Sequence, residues 1–209
     1  MNYLVTGTDT GVGKTFVTSG LVRYARSKGI DSVGMKPICT GDNTDVRRLV
    51  EACGSCEAEH LLNPVWYRTP VAPYTASIIE DRLIDLSAIR EAFEKLAARH
   101  ASVLVEGAGG IAAPISVSYD FRDLARDLCL QVVIVSANRL GVLNHTRLTV
   151  EAVRAAGLTC SLIALNSVQA DTDLSQTTNL SVLENLVDVP VLPIEHDQGD
   201  FSDLLERLL

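Results

Sequence analysis

The sequence has no basic run, no long hydrophobic stretch and no regular cysteine framework, and each absence removes a class of function. Among its 209 residues, 26 Asp and Glu outnumber 18 Lys and Arg, giving a formal net charge of -8. An acidic chain without clustered Lys or Arg lacks the electrostatic footprint of a nucleic-acid or anionic-membrane binder. A local anion pocket stays open to it, because a few backbone N–H groups and one or two lysines suffice for a phosphate. The longest strongly apolar run, Val132 to Val135, falls far short of the ~20 residues of a membrane span. Tyr3-Leu4-Val5 is likewise too short for a signal-peptide core. The five cysteines, at 39, 53, 56, 129 and 160, are odd in number and irregularly spaced, so a disulfide framework is not expected. A cytoplasmic location is.

What is present is ordinary globular material, 47% hydrophobic and 21% charged, long enough for one large core. At roughly 150 residues per domain, a single domain over 1–209 is expected. There is no linker, internal repeat or low-complexity tract. Short apolar runs at Asn2–Thr6, Ser32–Lys36, Ser102–Glu106, Gln131–Ser136, Ser161–Asn166 and Val189–Ile194 read as buried strands. Helical patterns lie between them. Lys14–Lys28 places Val17, Leu21, Val22 and Ala25 on one face, and Leu86–Arg99 does the same with Leu86, Ile89, Phe93, Leu96 and Ala97. Further helices are expected at Asp45–Cys53, Phe121–Leu128, from near His145, and at Ser181–Leu186. Continuous apolar strands alternating with helices predict an α/β fold, a mostly parallel sheet covered on both faces. Ligands in such folds bind beyond the carboxyl ends of the strands. Asn63–Ile84, with Pro64, Pro70 and Pro73, is expected to be one long irregular segment of functional use.

Gly7-Thr8-Asp9-Thr10-Gly11-Val12-Gly13-Lys14-Thr15 follows the first strand and opens the first helix. That is the context of a phosphate loop, in which glycines let successive N–H groups point inward at an anion. Lys14 is placed to reach the β- and γ-phosphates, and the Thr15 hydroxyl to serve a Mg²⁺ ion. The loop is one residue longer than the common form, since Gly7 precedes the expected first glycine position by one. A P-loop NTPase-like fold is therefore expected, with a nucleoside triphosphate as ligand. Lys36 ends the second strand before Pro37, which favours extended backbone there; it would add a second cation at the same mouth. Glu106 ends a strand and is followed by Gly107-Ala108-Gly109-Gly110, a place where a carboxylate can hold Mg²⁺. Asp45, taken alone, reads better as a first-turn acid complementing its helix dipole than as a metal ligand.

Together these residues resemble the dethiobiotin synthetase family. Its lengthened loop, Gly-Thr-Asp-Thr-x-Val-Gly-Lys-Thr, is matched by Gly7–Thr15. Its other segments are matched by Lys36-Pro37-Ile38-Cys39-Thr40-Gly41, by Val105–Gly110 with Pro114-Ile115-Ser116, and by Leu140-Gly141-Val142-Leu143-Asn144-His145. The matches run in order from Gly7 to Asn166; Ser167 stands where the family often has Asp. The resemblance implies an ATP- and Mg²⁺-dependent ligase of biotin synthesis, forming dethiobiotin from 7,8-diaminopelargonic acid and CO₂. It implies that Thr15, Asp45 and Glu106 hold Mg²⁺, that Lys14 and Lys36 are catalytic, and that Thr40 and Pro73 meet the substrate. Nucleotide contacts would come from Thr10, Gly11, Val12, Gly13, Lys14, Thr15 and Phe16, from Gly107, Ala108 and Gly109, and from Asn166 and Pro193. It further implies a homodimer, in which Gly141, Val142, Leu143 and Asn144 of the second subunit receive the substrate carboxylate.

Two other readings compete. Cys53-Gly54-Ser55-Cys56 with His60 could form a redox pair or half a zinc site, but a single Cys-x-x-Cys is weak evidence. A partitioning or septum-positioning ATPase would share the fold. Those proteins carry a lysine five positions before the loop lysine, where this chain has Asp9, and often a basic amphipathic tail, where Phe201–Leu209 is acidic. An added glutaminase domain would need a longer chain.

Overall fold

The computed structural model describes residues 2–170 and 173–208. In chain order the elements are β1 (Tyr3–Gly7), α1 (Lys14–Ser27), β2 (Ser32–Met35), β3 (Ile38–Thr40), α2 (Thr44–Ala52), α3 (Glu59–Leu62), β4 (Val65–Tyr67), α4 (Pro73–Ile79) and α5 (Leu86–Arg99). They continue with β5 (Ser102–Gly110), β6 (Pro114–Ser116), β7 (Tyr119–Asp120), α6 (Phe121–Asp127), β8 (Gln131–Ala137), α7 (Val142–Ala155), β9 (Cys160–Asn166), α8 (Leu174–Leu186), β10 (Val191–Ile194) and α9 (Ser202–Leu208).

Six strands form one sheet in the order β10-β9-β8-β1-β5-β2, and every neighbouring pair is parallel. Strands buried on both faces must be apolar throughout. Leu4, Val5, Val103, Val105, Val132–Val135 and Leu162–Leu165 meet that demand, each at most 1% exposed. From β1 the chain goes to one side, first to the edge strand β2 and then back to β5 between them, and afterwards to the other side through β8, β9 and β10. The reversal at β1 puts the ligand crevice beyond its carboxyl end, where Gly7 begins the glycine loop.

Most expected strand and helix boundaries hold within one or two residues, but β5 runs past Glu106 to Gly110 because the glycines after it stay paired beside β1, α7 starts at Val142 and not near His145, and two regions differ more. Asn63–Ile84 is not irregular. It holds β4, paired in parallel with β3 from Ile38↔Val65 to Thr40↔Tyr67, and α4, whose first residue is Pro73. Proline at the first helical position needs no amide hydrogen and has a pre-set φ, so it starts the helix instead of breaking it. The second region is the C-terminus. Helix α8 begins at Leu174, well before Ser181, behind a capping box formed by Asp173 and Gln176. The acidic tail closes as α9, with Phe201, Leu204 and Leu208 buried.

Candidate active site

The loop between β1 and α1 curls because glycine occupies its left-handed positions. Gly11 has φ +72° and Gly13 φ +93°. A Cβ at Gly13 would lie 2.1 Å from Asn166 Nδ2. The additional residue makes Gly7 equally obligatory: a Cβ there would meet the Asp9 carbonyl at 2.7 Å and Val12 Cγ2 at 2.8 Å. No acidic side chain sits in the first turn of α1, which leaves its N–H groups and dipole free for an anion.

Lys14 folds back over the loop, its Nζ donating to the Asp9 carbonyl at 3.0 Å. Burial, reinforced by the nearby charge of Lys36, pushes its pKa down to about 8. A bound phosphate would reverse that effect by supplying the missing countercharge.

Lys36 is held by its backbone. Its N–H donates to the Leu62 carbonyl at 2.7 Å, and its own carbonyl accepts from Asn63 Nδ2 at 2.7 Å. These bonds turn the chain out of the sheet after Met35, short of the expected strand end. The side chain is buried and reaches Glu106 Oε1 at 2.6 Å and Asp45 Oδ2 at 2.8 Å. Burial opposes its charge, but the two carboxylates outweigh burial and hold its pKa above the ordinary lysine value. Asp45 shows the reciprocal balance. Burial raises its pKa, attraction and hydrogen bonding to Lys36 lower it, and the net shift is downward.

Glu106 is fully buried in β5. Its Oε1 also accepts from Thr15 Oγ1 at 2.7 Å, whereas its Oε2 has no hydrogen-bond partner among the described residues. A buried carboxylate oxygen left unsatisfied beside a hydroxyl and a second carboxylate is the hard-oxygen donor set that suits Mg²⁺. Thr15, Asp45 and Glu106 therefore fit the expected metal site.

A cavity of about 710 Å³ opens over this network. It is lined by Thr10, Gly11, Gly13, Lys14, Thr15 and Phe16 from the loop, and by Lys36, Thr40, Asp45, Pro73, Glu106, Ala108 and Gly109. Several expected contacts lie off it. Val12 is core, with its carbonyl taken by Asn166 Nδ2 at 2.9 Å. Gly107 is buried, and a Cβ there would lie 3.5 Å from the Phe121 ring, while Pro193 sits in β10 opposite Leu165. Gly141, Val142, Leu143 and Asn144 form the start of α7, with Gly141 at φ +95°. They do not line the cavity of their own chain, and Val142, being buried, can offer only backbone. The sequence reading missed Cys39, Arg48, Pro70, Val71, Ala72, Gly110 and Ala113, all of which line it. Arg48 was accessible to helix spacing, since it follows Asp45 by three residues on α2.

The cysteine motif points away from redox chemistry. Burial, then a hydrogen bond with Cys53, pushes the Cys56 thiol up to about 12, the opposite of what an attacking thiolate requires. His60 is exposed.

The family model described as an AAA domain matches residues 1–195. The ATP-dependent dethiobiotin synthetase BioD of Akkermansia muciniphila is 41% identical over 210 residues, 99% of each chain. The chain belongs to the ATP-dependent dethiobiotin synthetase family. The synthetase of Anaeromyxobacter sp. (strain Fw109-5) is 45% identical over 84% of this chain and 80% of its own. That of Methanococcus vannielii is 36% identical over 98% and 97%. Solved structures show the P-loop fold at lower identity. The septum site-determining protein MinD with Mg-ADP from Pyrococcus horikoshii matches at TM-score 0.53 and 16% identity, over 99% of this chain and 86% of that one. A putative plasmid partition protein of Borrelia burgdorferi bound to AMPPNP matches at 0.56 and 13%, over 99% and 97%. The septum-site and plasmid-partition proteins thus share the architecture, while the synthetases also share sequence along most or nearly all of the chain.

Proposed function

We propose that residues 1–209 act as one ligase domain, using ATP and CO₂ to convert 7,8-diaminopelargonic acid into dethiobiotin. The observation that carries this reading is the Thr15–Glu106–Lys36–Asp45 network, set at the mouth of a glycine loop and opening into a cavity with space for a second substrate. One amine of the substrate takes up CO₂ to give a carbamate. A carbamate oxygen attacks the γ-phosphorus, breaking its bond to the bridging oxygen and releasing ADP. The second amine attacks the carbonyl carbon of the resulting carbamic-phosphoric anhydride, phosphate leaves, and the ureido ring closes.

None of these steps needs a protein nucleophile; each needs positioned charge. Lys14 neutralises the transferring phosphoryl group, and an anion beside it keeps its amine protonated at neutral pH. Lys36, held charged by its carboxylates, stabilises the carbamate. Thr15, Asp45 and Glu106 hold Mg²⁺, which when bound offsets negative charge on the phosphates. Thr40 hydrogen-bonds the substrate, and Pro73 shapes the cavity wall. The adenine lies toward Asn166 and Pro193.

The start of α7 serves a neighbouring copy in a homodimer, where the N–H groups after Gly141 receive the substrate carboxylate. Two observations support this. The segment does not line its own chain's cavity, and the apolar Leu140 and Leu148 beside it are 83% and 57% exposed. The protein works in the cytoplasm on small molecules, without a nucleic-acid or membrane partner. No helix among the described residues is long and apolar enough to cross a membrane. The test is ATP turnover. The reading expects stimulation by the diamine plus bicarbonate; stimulation by DNA or lipid would instead favour a partitioning ATPase.

A further inference from the structure

The C-terminal tail reaches the first helix from behind the cavity. Phe201, just ahead of α9, is 2% exposed, and its ring fills a notch that exists because residue 20 is glycine. A Cβ at Gly20 would lie 2.2 Å from Phe201 Cζ and 2.3 Å from Cε2. The same ring meets Phe16 edge to face, with centroids 5.8 Å apart and planes at 61°. Phe16 lines the cavity.

Helix geometry gives this contact its meaning. Phe16 and Gly20 are four residues apart within α1, so they share one face of it, and Gly13 is the N-cap just ahead of the helix. The N-cap abuts Asn166, and the Phe16–Gly20 face carries the Phe201 wedge. Thr15 turns instead to Glu106. One face of the helix start therefore serves the phosphoryl chemistry, and the next carries the Phe16 ring into the cavity wall.

We propose that Phe201 is a positioning residue for the nucleotide base: by holding Phe16 edge-on, it fixes the aromatic wall on which the base rests. The inference depends on reading the loop as a nucleotide site. An edge-to-face pair sets ring orientation as well as burying area. Without Phe201, Phe16 gains a ring-sized void behind it and loses its fixed presentation to the base, whose stacking depends on that presentation. The phosphate contacts, made by loop N–H groups and Lys14, are untouched.

The experiment compares binding of ADP and of inorganic tripolyphosphate, each with Mg²⁺, by calorimetry. Phe201→Leu keeps the notch filled but removes the aromatic edge. It is expected to weaken ADP about tenfold while tripolyphosphate changes less than about twofold. Phe16→Leu, at a partly exposed position that does not threaten the fold, is expected to give the same selective loss. The double variant is expected to add nothing further, because the two rings act through one another. Equal weakening of both ligands would reduce Phe201 to a structural role and overturn the proposal. So would unchanged ADP binding, or independent, additive losses in the double variant. Failure of the unmodified protein to bind either ligand would instead overturn the nucleotide reading beneath it.

Discussion

Replacing Lys36 by Met tests the electrostatic design of the site. Met fills most of the stem volume but removes the ammonium that sits 2.6 Å from Glu106 and 2.8 Å from Asp45. Asp45 can turn to water, its side chain being 43% exposed. Glu106 cannot, because it is fully buried and one of its oxygens already lacks a partner among the described residues. Removing one partner of a buried pair costs about 3–5 kcal/mol. In a chain of this size each 1 kcal/mol shifts melting by roughly 2–4 °C, so a fall of about 6–20 °C is expected at pH 7. A lysine that served chemistry alone would cost activity and little stability; this one costs both. The double variant Lys36→Met with Glu106→Gln removes the stranded charge and is expected to regain most of the loss. Scanning calorimetry without divalent cations reads both outcomes. A single variant melting within about 2 °C of the unmodified protein, or a double variant no better than the single, would refute the reasoning.

Lys14→Met is expected to abolish nearly all ATP turnover without lowering the melting temperature, since burial already works against this charge; steady-state assays with parallel melts check it. Gly13→Ala places a methyl 2.1 Å from Asn166 Nδ2 at a φ of +93°, so calorimetry should show ADP affinity reduced at least about tenfold. Hydrogen bonds from His100, then Arg26, hold the Asp31 carboxyl below its usual pKa. Its contribution to stability is therefore complete above the unfolded value near 3.8 and disappears as pH falls through the lower folded value. Asp31→Asn should lower stability at pH 7, and urea titrations of variant and unmodified protein should converge below pH 3.

How much could be read from the sequence follows from the range of the interactions involved. The inner strands β1, β5, β8 and β9 were visible because their middles are buried on both faces and rich in Val, Ile and Leu. The loop was visible because Gly7, Gly11 and Gly13 each answer a local steric demand. Strands β3 and β4 were not. Each is three residues long and gains its identity only from the other, across more than twenty residues. Proline-rich composition hid α4, although Pro73 is what starts it. Asp45 alone had no distinguishing mark; it acquires a role through Lys36 and Glu106, which only the fold brings within reach. Phe201 was passed over as part of an acidic tail, because its significance lies in the absence of a side chain at Gly20.

The most direct test of the account is the fate of labelled carbon. The protein is incubated with ATP, Mg²⁺, 7,8-diaminopelargonic acid and ¹³C-bicarbonate, and the products are resolved by mass spectrometry. The account predicts dethiobiotin with the label in its ureido carbonyl, formed with one ADP and one phosphate per ring. ATP consumed without a labelled ring, or a ring formed without ATP consumption, would contradict it.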